Sequence, residues 1–242
     1  MPTRSSPSGS YGQYCPLALA TELLSRRWTI LVISRLLDGC TTFNKIHEGV
    51  PRISPSLLST RLSELEQAGL VKRESRKGSK RSHYELSDAG HELGPIIDQL
   101  AVWGQHWARD MNMDDLDPGF LAWSMHLRMN VDAMPPGRTV LQFEFSGAPS
   151  DFQRFWLIKK DGKMDLCLKH PGFETDLLVK ADLLRFIETW RGFRDLRQEI
   201  RRSKIRLTGP QALKKQFPDW LMLSMFADIE RKASGRERRL SH

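Results

Sequence analysis

Short hydroxyl side chains recur through residues 54–63 of the sequence. A serine or threonine hydroxyl can hydrogen-bond a phosphate oxygen or the edge of a base. Because these side chains are small, the backbone that carries them can approach a duplex closely. The candidate contacts in this stretch are Ser54, Ser56, Ser59, Thr60 and Ser63.

Positive charge is concentrated a little further along the chain. Between Lys72 and Arg81 there are six Lys and Arg residues against one Glu. Cations that neutralise phosphates provide most of the sequence-independent affinity for DNA. We therefore predict nucleic-acid contacts from this segment and from three residues that precede the hydroxyl-rich stretch. The predicted contacts outside residues 54–63 are Thr42, Lys45, Arg52, Lys77, Ser79, Lys80 and Arg81.

The pattern around the hydroxyls predicts a helix over residues 54–68. Ser54 is placed to cap it, and Pro55 suits its first position because no backbone N–H is needed there. Leucines repeat at helical spacing and leave the hydroxyls on the other faces. A solvated amphipathic helix whose serines bind nothing is the alternative that this pattern leaves open. The leucines of the stripe are Leu58, Leu62 and Leu65.

Three earlier helices and a following β-hairpin complete this half of the sequence. The helices begin at Pro16, near Trp28 and after Thr42, a predicted N-cap. Two short alternating segments flank a basic, Gly-containing turn over residues 77–81. Helices followed by a basic hairpin have the order of a winged helix-turn-helix domain.

Several short motifs occur in order through residues 14–108. They are Cys15-Pro16-Leu17, Arg27-Trp28-Thr29-Ile30-Leu31, Phe43, Ile53-Ser54-Pro55, the run from Leu58 through Arg61 to Leu65, Ala68-Gly69-Leu70-Val71, and the run from Tyr84 to Gly90. In these motifs the sequence resembles the HxlR-type branch of the MarR-like winged-helix transcription regulators. Proteins of that family are typically dimers, so the resemblance implies a homodimer that binds a near-palindromic, double-stranded DNA operator. It also implies that helix 54–68 enters the major groove and that the 77–81 wing lies over a minor groove.

A long helix after Ser87 carries apolar residues at a heptad-like, four-three spacing. The resemblance favours a dimerisation helix, paired with the first helix of the chain. Packing of this helix on its own domain is the alternative. The predicted dimerisation residues are Leu93, Ile97, Leu100, Trp103 and Trp107.

Cys15 stands at the start of the first predicted helix. The helix dipole there stabilises a thiolate, which raises the reactivity of the sulfur. Some relatives in the family use a cysteine at this position to sense oxidants or electrophiles, so the resemblance implies a redox role. A half-buried structural cysteine is the alternative.

The second half of the sequence predicts an α+β domain. A helix over 120–130 precedes strands over 140–145, 152–159 and 164–170, and the turn between the last two contains Asp161-Gly162, a strong hairpin signal. A strand over 175–180, a helix capped by Asp182, a strand over 204–208 and a helical region with residues from Leu213 to Phe226 follow.

Short motifs in this half resemble the sterol-carrier-protein fold over residues 119–230. They include Phe155-Trp156-Leu157-Ile158, Pro171-Gly172-Phe173, Trp190-Arg191-Gly192 and Ile205-Arg206-Leu207-Thr208-Gly209. The resemblance implies an apolar tunnel and an apolar small molecule as effector. A packed domain that only supports dimerisation or DNA contact is the alternative. The predicted pocket residues are Phe143, Phe155, Trp156, Phe186, Trp190 and Trp220.

The formal charge of +8 is divided unevenly along the chain of 242 residues. Residues 1–118 contain 14 Lys and Arg against 14 Asp and Glu, whereas residues 119–242 contain 23 against 15. Basic runs over 191–206 and 231–239 account for much of the excess. They are predicted either to contact phosphates that flank the operator or to be solvated surface.

The sequence lacks several other signals. No apolar run reaches the roughly 18 residues of a membrane span, no secretory signal begins the chain, and three separated cysteines predict no disulfide framework. No metal-ligand spacing, phosphate-binding loop or nucleophile elbow occurs. We therefore predict no membrane partner, metal, cofactor or catalytic residue, and a cytoplasmic location.

The whole chain is predicted to be α+β, with a winged helix-turn-helix domain followed by a domain with a smaller sheet. The predicted limits are a flexible arm over 1–13, a DNA-binding and dimerisation domain over 14–112, a ligand-binding domain over 119–230 and a basic tail over 231–242. The rival interpretation is a lipid- or metabolite-binding carrier whose winged helix mediates protein contacts and does not read DNA.

Overall fold

The computed structural model describes residues 10–75 and 82–232. The chain folds into two compact units, residues 1–100 and residues 101–242. Strands and helices occur in both, so the chain has a mixed α+β fold.

The first unit begins with four helices. They are α1 (Pro16–Leu24), α2 (Thr29–Leu37), α3 (Phe43–Gly49) and α4 (Pro55–Gln67). The predicted caps are present, because the side chain of Thr42 accepts a hydrogen bond from Lys45 N and that of Ser54 accepts one from Leu57 N. The predicted helix starts at Pro16, Thr42 and Ser54 are therefore confirmed.

A β-hairpin and two further helices follow. Strand β1 (Val71–Ser75) pairs antiparallel with β2 (Ser82–Leu86), and the basic turn over 77–81 lies outside the described residues. After the short helix α5 (Asp88–His91), α6 (Gly94–Trp107) continues.

The close approach of the hairpin to α5 requires a glycine at position 90. A β-carbon on Gly90 would lie 2.3 Å from Leu70 O and 2.9 Å from Leu86 Cδ2. Gly90 therefore lets α5 lie directly against the ends of both strands. The core of this unit includes the fully buried side chains of Val32, Ile33, Ile46, Leu58 and Leu65.

The second unit contains one sheet and several helices. Its elements, in chain order, are α7 (Pro118–Leu127), β3 (Thr139–Ser146), β4 (Arg154–Lys160), β5 (Lys163–Cys167), β6 (Leu177–Asp182), α8 (Leu183–Trp190), α9 (Leu196–Arg201), β7 (Ile205–Thr208) and α10 (Gln211–Trp220). The strand order is β5-β4-β3-β6-β7, with β3 and β6 parallel and the other neighbours antiparallel.

Local signals placed most of these elements correctly. Asp161 and Gly162 both have positive φ in the β4–β5 turn, as the predicted Asp-Gly hairpin requires. The Asp182 side chain accepts a hydrogen bond from Arg185 N and caps α8. Helix α9 was not predicted, because basic residues dominate the run over 191–206 and obscure its short apolar pattern. The predicted helical region to Phe226 ends earlier, at Trp220.

The aromatic side chains of the second unit pack mainly against one another. The ring centroids of Phe143 and Phe155 are 5.0 Å apart, and those of Phe145 and Phe186 are 4.9 Å apart. Phe143, Phe155, Phe186, Trp190 and Trp220 all belong to one buried cluster.

Trp156 does not belong to this cluster, so the prediction of one pocket lined by all six aromatics is wrong for this residue. It packs with Val140 and Ile158 in a separate cluster. Successive residues of a strand point to opposite faces of a sheet, and Trp156 lies between two residues of the main core, Phe155 and Leu157.

Two segments near the chain ends are held by side chains. Ser10 Oγ and Tyr11 N, from the predicted N-terminal arm, both donate to Glu22 Oε1. Arg231, from the predicted basic tail, donates to Gln105 O, to Ala108 O and to the carboxylate of Asp110. Arg231 therefore satisfies carbonyl groups at the end of α6. Within residues 10–75 and 82–232, no helix has the length and apolar character needed to cross a membrane.

Candidate nucleic-acid interface

Helix α4 separates its apolar and hydroxyl side chains onto different faces. Leu58, Leu62 and Leu65 are at most 1% exposed and anchor the helix in the core of the first unit. The hydroxyl residues lie on the outward side, and all of them are exposed. They are Ser54, Ser56, Ser59, Thr60 and Ser63, the set predicted from the sequence.

Some of these hydroxyls already make local hydrogen bonds. Thr60 Oγ1 donates to Ser56 O at 3.1 Å, and Ser63 Oγ accepts from Gln67 Nε2 at 3.4 Å. Thr60 therefore uses its hydroxyl hydrogen within the helix, and its exposed oxygen can still accept a hydrogen bond.

The turn between α3 and α4 is held by a histidine. His47 Nε2 lies 3.0 Å from Ile53 O, which links α3 to the residue before the Ser54 cap. The predicted contacts Lys45 and Arg52 are both exposed on this part of the unit, whereas Thr42 is half-buried and caps α3. Lys45 therefore lies in the first turn of α3, and Arg52 lies in the turn between α3 and α4.

The hairpin is tied to the start of α3. Tyr84 N donates to Thr41 O at 2.8 Å, and Thr42 pairs with His83 in an isolated bridge. On β1, Arg73 Nε donates to Ser82 Oγ at 3.0 Å. These contacts fix the base of the wing. The predicted wing residues Lys77, Ser79, Lys80 and Arg81 lie outside the described residues.

A cluster of charged residues that was not predicted orients α4. Arg61 Nε donates to Arg27 O at 2.9 Å, and its Nη1 lies 2.8 Å from Glu64 Oε2. Arg26 approaches the other oxygen of Glu64 at 2.6 Å. The Arg61–Glu64 pair has the i,i+3 spacing of a helix ion pair and was readable from the sequence, whereas the partner Arg26 was not.

Apolar side chains are exposed on α1 and α6. Ile96 and Trp103 of α6 are 59% and 58% exposed, and Leu17 of α1 is 71% exposed. Of the predicted dimerisation residues, Leu93 and Ile97 are half-buried, and Leu100, Trp103 and Trp107 are exposed. Both helices therefore leave large apolar side chains accessible to solvent.

Cys15 is exposed immediately before α1. The backbone N–H groups of Ala18 and Leu17 hold the pKa of its thiol below its ordinary value. Cys40 and Cys167 differ, because burial raises the pKa of both thiols.

Comparisons with known proteins find relatives for the N-terminal part of the chain. A family model described as HxlR-like helix-turn-helix matches residues 23–112. The uncharacterized HTH-type transcriptional regulator YvaP of Bacillus subtilis is 36% identical over 111 residues, which are 45% of this chain and 95% of that protein. The HTH-type transcriptional regulator YodB of the same organism is 34% identical over 95 residues, which are 38% of this chain and 85% of that protein. A solved structure of reduced YodB, 31% identical, covers 41% of this chain and 100% of that one, with a TM-score of 0.36.

The winged helix and its exposed hydroxyl face define a helix-turn-helix protein. Since YvaP is matched over nearly its whole length, the chain belongs to the HxlR-like helix-turn-helix family. Its class of function is transcription regulation through DNA binding. The family match ends at residue 112, so residues 113–242 lie outside it.

Proposed function

We propose that this chain is a homodimeric, cytoplasmic transcription regulator that reads a near-palindromic DNA operator with α4. The observation that carries the proposal is the outward face of α4, where five hydroxyl residues are exposed while the leucines on the other face are buried. A rigid helix that presents short polar groups is the element that direct readout in the major groove requires.

The exposed apolar residues of α1 and α6 support the dimer. Leu17, Ile96 and Leu100 belong to the first unit and are all exposed. Burial of such side chains at an interface between two copies removes apolar surface from water. A two-fold axis would place two α4 helices about one DNA turn apart, as a near-palindromic operator requires.

The test begins by selecting bound duplexes from a random pool with the full-length protein. Ser56→Glu then places a carboxylate on the outward face, near the start of α4. An acidic residue in the first turn of a helix does not weaken the helix, so folding is preserved. We expect operator affinity to fall at least about tenfold, because the carboxylate repels phosphates and removes a hydroxyl contact.

The matched control is Gln67→Glu, which adds the same charge at the exposed C-terminal end of α4. We expect it to lower operator affinity much less. Equal losses for the two variants would contradict the proposed orientation of the helix. A protein that selects no sequence from the pool would instead favour the rival interpretation, a carrier or interaction protein.

A second proposal concerns control of DNA binding by Cys15. Its exposure and its lowered pKa increase the fraction of reactive thiolate at neutral pH. We expect a peroxide or a quinone to change the operator affinity of the unaltered protein and of Cys167→Ser, but not that of Cys15→Ser. Equal responses of the three proteins would exclude the role of Cys15.

The sterol-carrier resemblance of the second unit, and the apolar effector that it implies, stay predictions. A thermal-shift titration with a long-chain fatty acid tests them. An apolar ligand that binds the folded unit raises its melting temperature, and an unchanged melting temperature would count against the effector.

A further inference from the structure

The second unit has an exposed cluster of cations where α9 ends and β7 begins. We call Arg201, Arg202, Lys204 and Arg206 the basic corner. All four side chains are exposed. Within the part of the chain that the structure describes, none of the four has an ion-pair partner, so their charges remain unneutralised.

Neighbouring arginines in the same unit are paired, which makes the basic corner distinctive. Ion pairs join Arg185 to Glu199 at 2.7 Å, Arg194 to Glu188 at 2.5 Å and Arg197 to Asp219 at 2.6 Å. The acidic side chains of α8, α9 and α10 that form these pairs therefore neutralise other arginines. The four cations of the basic corner lie close to these pairs along the chain and form no ion pair with the described residues.

The turn between α9 and β7 holds the corner in one conformation. Ser203 N donates to Ile200 O, and Lys204 N donates to Glu199 O, each at 2.9 Å. This pair of bonds is the Schellman arrangement at a helix C-terminus. Ser203 has a φ of 55°, in the left-handed region where glycine is usual, so the turn brings Arg202 and Lys204 together at some conformational cost.

Besides the positive φ of Ser203, the strand register is also unfavourable for folding. Arg206 lies directly opposite Lys180 in the β6–β7 pairing, and like charges at such positions repel. Lys180 is partly compensated by Glu144, at 3.3 Å. Local features that oppose folding are expected where a surface serves a function.

Two cations of the corner lie along β7: Lys204 directly precedes the strand and Arg206 is part of it. Ile205 is fully buried, whereas Lys204, Arg206 and Thr208 are exposed. Alternate residues of a strand are roughly 6.6 Å apart on the same face. Two cations and a hydroxyl at this spacing suit a row of phosphates, which side-chain cations and hydroxyls both contact.

We propose that the basic corner is a second DNA-contacting surface, which binds the phosphate backbone outside the bases that α4 reads. The partner is the phosphodiester backbone of the duplex that the winged helix holds. This inference rests on the proposed function, because DNA held by the first unit is presented to the second at a high effective concentration.

The experiment measures how the affinity of the full-length protein for DNA depends on salt. The probes are a duplex of about 40 base pairs, roughly four helical turns, with the selected sequence at its centre, and a scrambled duplex of equal length. The corner variant combines Arg202→Gln, Lys204→Gln and Arg206→Gln. We expect the slope of log affinity against log salt to become shallower by about 2 to 3 on both probes, because each lost phosphate contact contributes about 0.9.

The matched control carries the same loss of charge at the opposite edge of the sheet. It combines Lys160→Gln, Lys163→Gln and Lys169→Gln, three exposed residues at or next to β4 and β5. We expect its slopes to equal those of the unaltered protein. Melting temperatures of both variants establish that each is folded.

The outcomes separate this inference from the proposed function. Unchanged slopes in the corner variant, or equal changes in the control, overturn the basic corner as a DNA surface. The unaltered protein could show no sequence preference while the corner variant still has the shallower slope. That result would contradict the operator proposal and support the basic corner as a DNA-contacting surface. If the unaltered protein binds neither probe, both proposals fail.

Discussion

The outward face of α4 and the basic corner differ in almost every property that matters for contact with DNA. The α4 face presents exposed hydroxyls on a helix anchored by buried leucines. The corner presents four cations, without ion-pair partners among the described residues, from the end of α9 to the edge strand β7. Direct readout depends on oriented, short-range hydrogen bonds, whereas phosphate neutralisation tolerates variation in distance.

Under the proposed function, this difference explains why total charge is a poor guide to the surface that reads the bases of DNA. Residues 1–118, which contain the winged helix, are neutral overall, and the +8 arises from residues 119–242. We therefore expect specificity and affinity to reside in different parts of the chain. Four predictions test the two regions, their structural support and the division between them, from the largest expected effect to the smallest.

Gly90→Ala should have the largest effect, because it disrupts the packing of α5 against the hairpin of the first unit. The added methyl group would lie 2.3 Å from Leu70 O, so the hairpin and α5 must separate. We expect a loss of about 3 kcal/mol or more in the free energy of unfolding, measured by urea denaturation. Gly104→Ala, in open space within α6, is the control and should cost nothing. Similar losses for both would show that the contact at Gly90 is not tight.

Leu58→Ala and Ser59→Ala change adjacent residues of α4, one buried and one exposed. Leu58 is fully buried, so its truncation should destabilise the protein by about 3 kcal/mol. Ser59 is exposed, so its truncation should leave the free energy of unfolding within about 0.5 kcal/mol of the original. Urea denaturation of both variants gives the comparison. Equal destabilisation would mean that the two faces of α4 are not distinct.

Ser59→Ala and the corner variant should affect DNA binding differently. We expect Ser59→Ala to reduce the ratio of operator affinity to scrambled-DNA affinity by about tenfold, because it removes a group suited to base readout. The corner variant should lower both affinities equally and leave the ratio unchanged. Anisotropy titrations at one salt concentration measure both ratios. The division between specificity and affinity would break down if the corner variant changed the ratio.

Ser203→Gly should produce the smallest change, and it should be a gain. Glycine accepts the positive φ of position 203 without the steric cost that serine bears, so we expect the free energy of unfolding to rise by about 1 kcal/mol. Ser150→Gly is the control, because its φ is not positive and it gains nothing. Thermal denaturation measures the stability of both variants. A lower stability of Ser203→Gly than of the unaltered protein would show that serine is not strained at this position.

Much of the first unit was predictable because its signals are local. The caps Thr42 and Ser54 and the leucine stripe of α4 lie within a few residues of the elements that they define, so spacing alone placed them. The same holds for the Asp161-Gly162 turn of the second unit. The alternation of β4 was equally readable and would have excluded Trp156 from the main core, because Phe155 and Leu157 flank it.

Contacts between distant residues could not be predicted in this way. Arg26 and Glu64 are 38 residues apart, and Arg231 meets Asp110 across 121 residues. Nothing in the basic run over 191–206 distinguishes Arg194 and Arg197, which form ion pairs, from the residues of the basic corner. The acidic partner Asp219 reaches Arg197 only through the packing of α10.

The sequence by itself determined most of the helices and strands of this protein, several of their caps, the hydroxyl face of α4 and the location of the charge excess. These features depend on periodicity and on hydrogen bonds between near neighbours, which any stretch of chain carries with it. The tertiary structure decided which cations are neutralised, which aromatic rings share a core and which thiol is exposed. Those outcomes depend on which distant residues are brought into contact, and burial and Coulomb energies follow from that contact.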